Sequence, residues 1–339
     1  MTETASLPIG LFDSGVGGLT VLKALQERLP CENYRFLGDT ARLPYGTKGR
    51  DTIIRYTLNA AHRLVSVGAV KMLVIACNTA TSCALPSLRK DFPDIPVLGV
   101  VEPGARAAVR ATRTGYIAVL ATEATIKGGA YQEAIFRLRP DARVVGRACP
   151  LFVPLAEEGL VEGEIAEAVE RLYVSGLFEG ADRPDTVVLG CTHYPLLRKS
   201  LARVIGGGVS LVDSAEVTAE SVEEYLTGKN LKNPSDVPGE THFMATDNVQ
   251  RFAHTGGIFL GRELSEGNSW TSLRRLFLHA LPGDDVRDFV VADALKGFAH
   301  AQVLLHAPEP LVGALVQSAS GSRISVTVRQ GGGKALSVT

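Results

Sequence analysis

"KMLVIACNTATS" (71–82) and "TVVLGCTHYPLL" (186–197) decide how this chain is read. Each is a short, continuously apolar run that reaches a small residue, then a cysteine, then polar groups. Apolar runs without period-two alternation mark strands buried on both faces, and such strands belong to parallel sheets covered by helices. Sites in such sheets form at the carboxyl ends of the strands. Both cysteines fall there.

Working outward, the same kind of run recurs at "PIGLFDS" (8–14), "YRFLGD" (34–39), "IPVLGVV" (95–101), "YIAVLAT" (116–122) and "ARVVGRA" (142–148). Between them lie stretches with helical spacing, at 18–29, 51–68, 128–138, 162–178, 195–205 and 214–227. The fold class is therefore α/β. The two cysteine motifs share a frame, and "GLFDSGVGG" (10–18) and "AVLATEATIKGG" (118–129) open two halves in a similar way. This predicts two similar lobes, each a mostly parallel sheet flanked by helices, facing each other across a cleft. The first lobe should comprise 1–100 plus 211–264, the second 101–210.

The chain has 339 residues, too many for one small core. Hydrophobic residues make up 45% and charged residues 21%, as in ordinary globular proteins. A net charge of −1 gives no electrostatic support for a nucleic-acid partner. No apolar run reaches spanning length, so no membrane partner is expected. Residues 1–7 lack a basic start and a long apolar stretch, and the five cysteines include no C-x-x-C. Both features point to a reducing, cytoplasmic setting.

Cys31, Cys83 and Cys149 read as core fillers, because cysteine packs like a small hydrophobe. Cys77 and Cys191 differ by their matching positions and polar followers. A thiol at the amino end of a helix faces unpaired N–H groups that favour the thiolate. Two thiols on opposite walls suit proton transfer, one removing a proton from a carbon and the other supplying one to its far face. Three other readings stay open. Cys77, Cys191 and His193 could ligate zinc in a hydrolase, although C-x-H is not a recurrent zinc spacing. The lobes could bind a small dicarboxylate without catalysis. "GVGG" (15–18) suggests a dinucleotide loop, but Thr20 stands where G-x-G-x-x-G needs glycine, which leaves a tight turn.

"GLFDSGVGGLTVL" (10–22), "GDTARLPYGTK" (38–48), "IACNTATS" (75–82), "ACPLFVPLAEEG" (148–159) and "GCTHYPLL" (190–197) together resemble glutamate racemases. These belong to the cofactor-independent aspartate/glutamate racemase superfamily, and the resemblance runs from about residue 7 to about 264. It implies interconversion of L- and D-glutamate, supplying D-glutamate for peptidoglycan synthesis, with no pyridoxal phosphate, no other cofactor and no metal. It implies Cys77 and Cys191 as the two bases, Cys77 acting on D-glutamate and Cys191 on L-glutamate. It implies substrate contacts from Asp13, Ser14, Tyr45, Gly46, Asn78, Thr79, Thr192 and His193. Asp39 and Glu157, with His193, match groups that tune or assist the thiols. The family commonly forms homodimers, which makes a homodimer the expected assembly. Aspartate racemase of the same superfamily is the alternative activity.

"ETHFMATDNVQRFAHTGGIFLG" (240–261) fits a closing strand and helix that return to the first lobe. Residues 265–339 carry no recognised motif. Helical patterns near 284–298 and 309–318 and an alternating strand at 323–329 are expected there, around a small core at most.

Overall fold

The computed structural model describes residues 2–264, 269–272, 311–318, 324–330 and 335–338. In chain order the first elements are α1 (Thr2–Ser6), β1 (Ile9–Asp13), α2 (Leu19–Arg28), β2 (Tyr34–Gly38), α3 (Arg50–Ser66), β3 (Met72–Ile75), α4 (Asn78–Asp91), β4 (Val97–Gly99) and α5 (Val101–Ala111). Then follow β5 (Tyr116–Ala121), α6 (Glu123–Gly128), α7 (Ala130–Leu138), β6 (Arg143–Ala148), α8 (Phe152–Glu157), α9 (Glu164–Val174), β7 (Thr186–Gly190), α10 (Arg198–Ile205), β8 (Ser210–Asp213) and α11 (Ser214–Gly228). The chain returns through β9 (Thr241–Ala245), α12 (Val249–Leu260) and β10 (Ser269–Ser272), and ends with β11 (Leu311–Ser318), β12 (Ile324–Gln330) and β13 (Ala335–Val338).

Two all-parallel sheets carry the site. The first runs β10-β9-β2-β1-β3-β4 and the second β6-β5-β7-β8. Counted within each half, the order second-first-third-fourth occurs twice. The expected two-lobe α/β architecture is borne out. In this order the first and third strands lie side by side while their connections leave in opposite directions, and ligands bind in the crevice so formed. Cys77 follows the third strand of the first sheet and Cys191 the third strand of the second.

The strands form because their residues are apolar throughout and buried on both faces. Ile9, Leu11 and Phe12 of β1 and Leu73, Val74 and Ile75 of β3 are fully buried, as are Val187, Val188 and Leu189 of β7. Each such side chain contributes about 1.5–3 kcal/mol when withdrawn from water. Helices cover the sheets and also tie the lobes together. Val101, Ala105 and Ala108 of α5 join the core of the second sheet. Ala215, Ala219, Val222 and Leu226 of α11 join the core of the first. The chain thus crosses to the second lobe at α5 and returns at α11, after β8. The first sheet takes its outermost strand, β10, from beyond residue 264.

Residues 1–274 form one compact unit and 275–339 another. In the second unit, β11, β12 and β13 make an antiparallel sheet in that order, with an irregular register between Leu311 and Ala314. The strand expected at 323–329 is there as β12. The helix expected near 309–318 is not: residues 311–318 are β11. Its apolar spacing fits either structure, Gly313 disfavours a helix, and the alternating run of β12 provides a pairing partner. The helix expected at 284–298 lies outside the described residues.

Candidate active site

The segments that follow β1, β3, β5 and β7 line one crevice between the sheets. β1 ends in Asp13, paired with Gly38 of β2, so Asp13 and Asp39 leave the sheet side by side. Asp13 is fully buried and turned into its own loop, where the Gly15 N–H donates to Oδ2 at 2.9 Å. Its Oδ1 has no hydrogen-bond partner, and burial raises its pKa. Asp39 is also fully buried but well satisfied. Tyr45 donates its hydroxyl proton to Oδ2 at 2.6 Å, while Arg42 and Thr246 donate to Oδ1 at 2.8 and 2.9 Å. Its place is behind Tyr45, holding that ring in the cavity wall.

Cys77 caps the fourteen-residue helix α4, and its sulfur accepts from the Ala80 N–H at 3.4 Å. The Ser14 hydroxyl lies 3.3 Å away. The helix amino end was expected to favour the thiolate. Burial and the negative charge of Asp13 outweigh it, and the Cys77 pKa is pushed up to about 12. Cys77 is therefore held as a thiol.

On the other wall, Cys191 follows β7, but no long helix starts behind it. A 3₁₀ turn, Tyr194–Leu197, intervenes before α10. The cation that faces its sulfur is a side chain instead. His193 places Nδ1 3.8 Å from the Cys191 sulfur and Nε2 3.1 Å from Glu157 Oε1. Burial works against the imidazolium, yet the hydrogen bonds to Cys191 and Glu157 prevail and push the His193 pKa up to about 10. The same contact with His193 holds Glu157 below its usual range against the effect of its own burial. Phe259 packs its ring edge against the imidazole, with centroids 5.1 Å apart.

The two walls enclose a cavity of about 40 Å³. That is room for a few waters, or for the polar end of a small metabolite. Ser14, Tyr45, Gly46, Asn78 and Thr79 line it beside Cys77, and Glu157, Thr192 and His193 line it beside Cys191. Asp13 and Asp39 stand behind the lining. All five cysteines are free, so the two in the cavity are not bonded to each other. Among the described residues, no group of three His, Cys, Asp or Glu side chains is arranged to hold a metal ion.

A protein-family model described as Asp/Glu/hydantoin racemase matches residues 19–222. This chain belongs to that family.

Its relatives include a glutamate racemase from Geobacter metallireducens, 51% identical over 258 residues that cover 76% of this chain and 94% of that protein. Among solved structures, a Thermus thermophilus glutamate racemase in complex with β-chloro-D-alanine superposes with a TM-score of 0.70 at 41% identity, covering 79% of this chain and 97% of that one. The Francisella tularensis glutamate racemase in complex with D-glutamate does so with a TM-score of 0.72 at 35% identity, with the same coverage.

Within this racemase-family cavity, the sequence reading missed one polar group. Thr122 lines the wall opposite Thr79, and their hydroxyls lie 2.9 Å apart. Thr122 caps α6 directly after β5, the first strand of the second lobe, as Ser14 follows β1 in the first. The matched openings of the two halves carried that signal. The lobes also meet where Thr20 donates to the Thr192 carbonyl at 3.1 Å. Beside that contact, a Cβ on Gly17 would overlap Thr192 Oγ1 and His193 Nδ1. In the "GVGG" turn, Gly17 is pressed by the second wall, while Asp13 and Ala76 of its own lobe leave no room for a Cβ on Gly18.

Among the described residues, no helix is long and apolar enough to cross a membrane.

Proposed function

We infer that the protein is a glutamate racemase that moves the α-proton between Cys191 and Cys77. One observation carries the reading. Two free thiols, each following the third strand of its own sheet, line a single small cavity. Relatives up to 51% identical bear the same name, which supports the substrate assignment.

In this reading the carboxylates of glutamate take hydrogen bonds from the hydroxyls of Ser14, Thr79 and Thr192, the Asn78 amide and the Gly46 N–H. With L-glutamate bound, the Cys191 sulfur removes the α-proton, and the imidazolium of His193 beside it balances charge. Cys77, held protonated, supplies a proton to the opposite face and leaves D-glutamate. The reverse reaction exchanges the roles. Carbanion character beside a carboxylate is stabilised by preorganised donors in a site from which water is largely excluded. Asp13 acts next to the Cys77 thiol rather than on the substrate, because it stands behind Ser14.

By kinship with the family, the reading extends to a cytoplasmic homodimer whose product enters peptidoglycan synthesis. The lobes expected at 1–100 with 211–264, and 101–210, shift at one joint: β8 pairs with β7 and β10 with β9, so the second lobe is taken as 101–213 and the first as 1–100 with 214–264 and β10.

The test is α-proton exchange of each glutamate enantiomer in deuterated water, followed by NMR, with wild type, Cys77→Ala and Cys191→Ala. Exchange with inversion in the wild type, and loss of racemisation in both variants, is expected. Saturable glutamate binding without exchange would instead mark a dicarboxylate-binding module. Turnover of aspartate but not glutamate would mark the sister activity. Either single variant with normal turnover in both directions would sink the two-thiol mechanism.

A further inference from the structure

Tyr131 spans the two cysteine-bearing segments. It lies on α7 in the second lobe and is fully buried. Its hydroxyl crosses to the first lobe and donates to Asn78 Oδ1 at 2.6 Å, one residue beyond Cys77. Its ring packs on the backbone of Gly190, one residue before Cys191, where an added Cβ would sit 3.1 Å from Cε2. One rigid side chain therefore touches the chain beside both sulfurs, yet it does not line the cavity.

Asn78 is 2% exposed and lines the cavity, and its Nδ2 has no hydrogen-bond partner. The two ends of an amide have nearly the same shape but opposite hydrogen-bonding character, so a neighbour must decide which end faces a ligand. Burial raises the Tyr131 pKa, and its phenol stays a donor at any working pH. An amide whose oxygen is occupied by that donor keeps its NH₂ as the end left for a ligand.

We propose that Tyr131 is a positioning residue: it orients the Asn78 amide so that Nδ2 meets a substrate carboxylate, and it spaces the two walls. This rests on the reading of the cavity as a glutamate site. Tyr131→Phe keeps the ring against Gly190 and removes only the hydroxyl. KM for both enantiomers should rise about tenfold, the scale of one lost hydrogen bond, with kcat changing less. In an Asn78→Ala background the same change should have no further effect on KM, because the group being oriented is gone. A role in packing alone would give multiplicative effects. As a measurement on the unaltered protein, the side-chain NH₂ resonances of Asn78, assigned by their loss in Asn78→Ala, should shift when D-glutamate is added. An unchanged KM in Tyr131→Phe, multiplicative effects in the double variant, or NH₂ resonances that D-glutamate leaves unmoved would overturn the role alone. Wild-type protein that neither binds nor racemises glutamate would remove the function and this role together.

Discussion

His193 Nε2 lies 3.1 Å from Glu157 Oε1, across a contact that joins α8 to the loop carrying Cys191. Together with the Cys191 sulfur, this carboxylate lets a buried imidazole stay cationic. Glu157→Gln keeps the shape and a hydrogen bond but removes the charge. Charge-assisted hydrogen bonds are worth about 1.5–3 kcal/mol, so kcat/KM for L-glutamate should fall roughly tenfold to a hundredfold. Steady-state rates by polarimetry check this, and an unaltered rate would remove Glu157 from the mechanism.

The same pair makes stability depend on pH. The folded-state pKa of His193 is raised from 6.5 to about 10, so its contribution is fully present below 6.5 and is lost as pH rises through about 10. Cys77, raised from 9.0 to about 12, adds a second alkaline loss that begins only above 9.0. Glu170, raised from 4.5 to about 7, completes its own loss near the lower onset, so from about pH 7 to about pH 9 the slope is carried mainly by His193. The urea midpoint should therefore decline between about pH 7 and about pH 9, and that decline should flatten in His193→Asn. An equal slope in both proteins would refute the assignment.

Gly17→Ala should disable the enzyme without a comparable loss of fold. The added methyl pushes the Thr192 and His193 side chains away from the first wall. Misplacement by about an ångström can cost roughly a hundredfold in rate. Gly49→Ala is the control, since nothing lies within 4 Å of a Cβ there. Equal activities for the two variants would contradict the close approach.

Asp39→Ala strands the buried hydroxyls of Tyr45 and Thr246 and removes an ion pair from Arg42. A buried donor left without a partner costs about 1–3 kcal/mol. Unfolding free energy should drop by about 2–4 kcal/mol, and KM should rise as Tyr45 loosens. Denaturant titration and kinetics on the same sample separate the two effects.

Removal of residues 275–339 should leave α-proton exchange intact. Every residue of the candidate site lies in the unit that ends at Arg274. The solved relatives are matched over 97% of their length by 79% of this chain. Loss of exchange in a folded, truncated protein would give that segment a catalytic part.

The strands were legible because buried parallel strands are apolar at every position, a pattern that survives without knowledge of the neighbours. The cysteine pair was legible because both motifs stand at the same place in a repeated unit. Helices α4 and α5 were harder. α4 begins with small polar residues and contains Pro86, and α5 carries Pro103 and Gly104 in its first turn. Tertiary burial holds α4 helical, whereas α5 has helical spacing (Val101, Ala105, Ala108) that Pro103 and Gly104 obscure at its start. The electrostatics at Cys77 were misread for a related reason: a helix end is visible in sequence, whereas the depth of burial that outweighs it is not. The contact between Glu157 and His193 joins residues 36 apart in the chain, and only the packing of α8 brings them together.

The neighbours of the two sulfurs are unlike: a serine hydroxyl near one, an imidazolium near the other. L- and D-glutamate, as mirror images, have equal free energy in water. Thermodynamics then requires kcat/KM to be identical in the two directions, whatever surrounds each thiol. The lopsided site can express itself only by trading saturation against turnover, so that the enantiomer held more tightly is also converted more slowly.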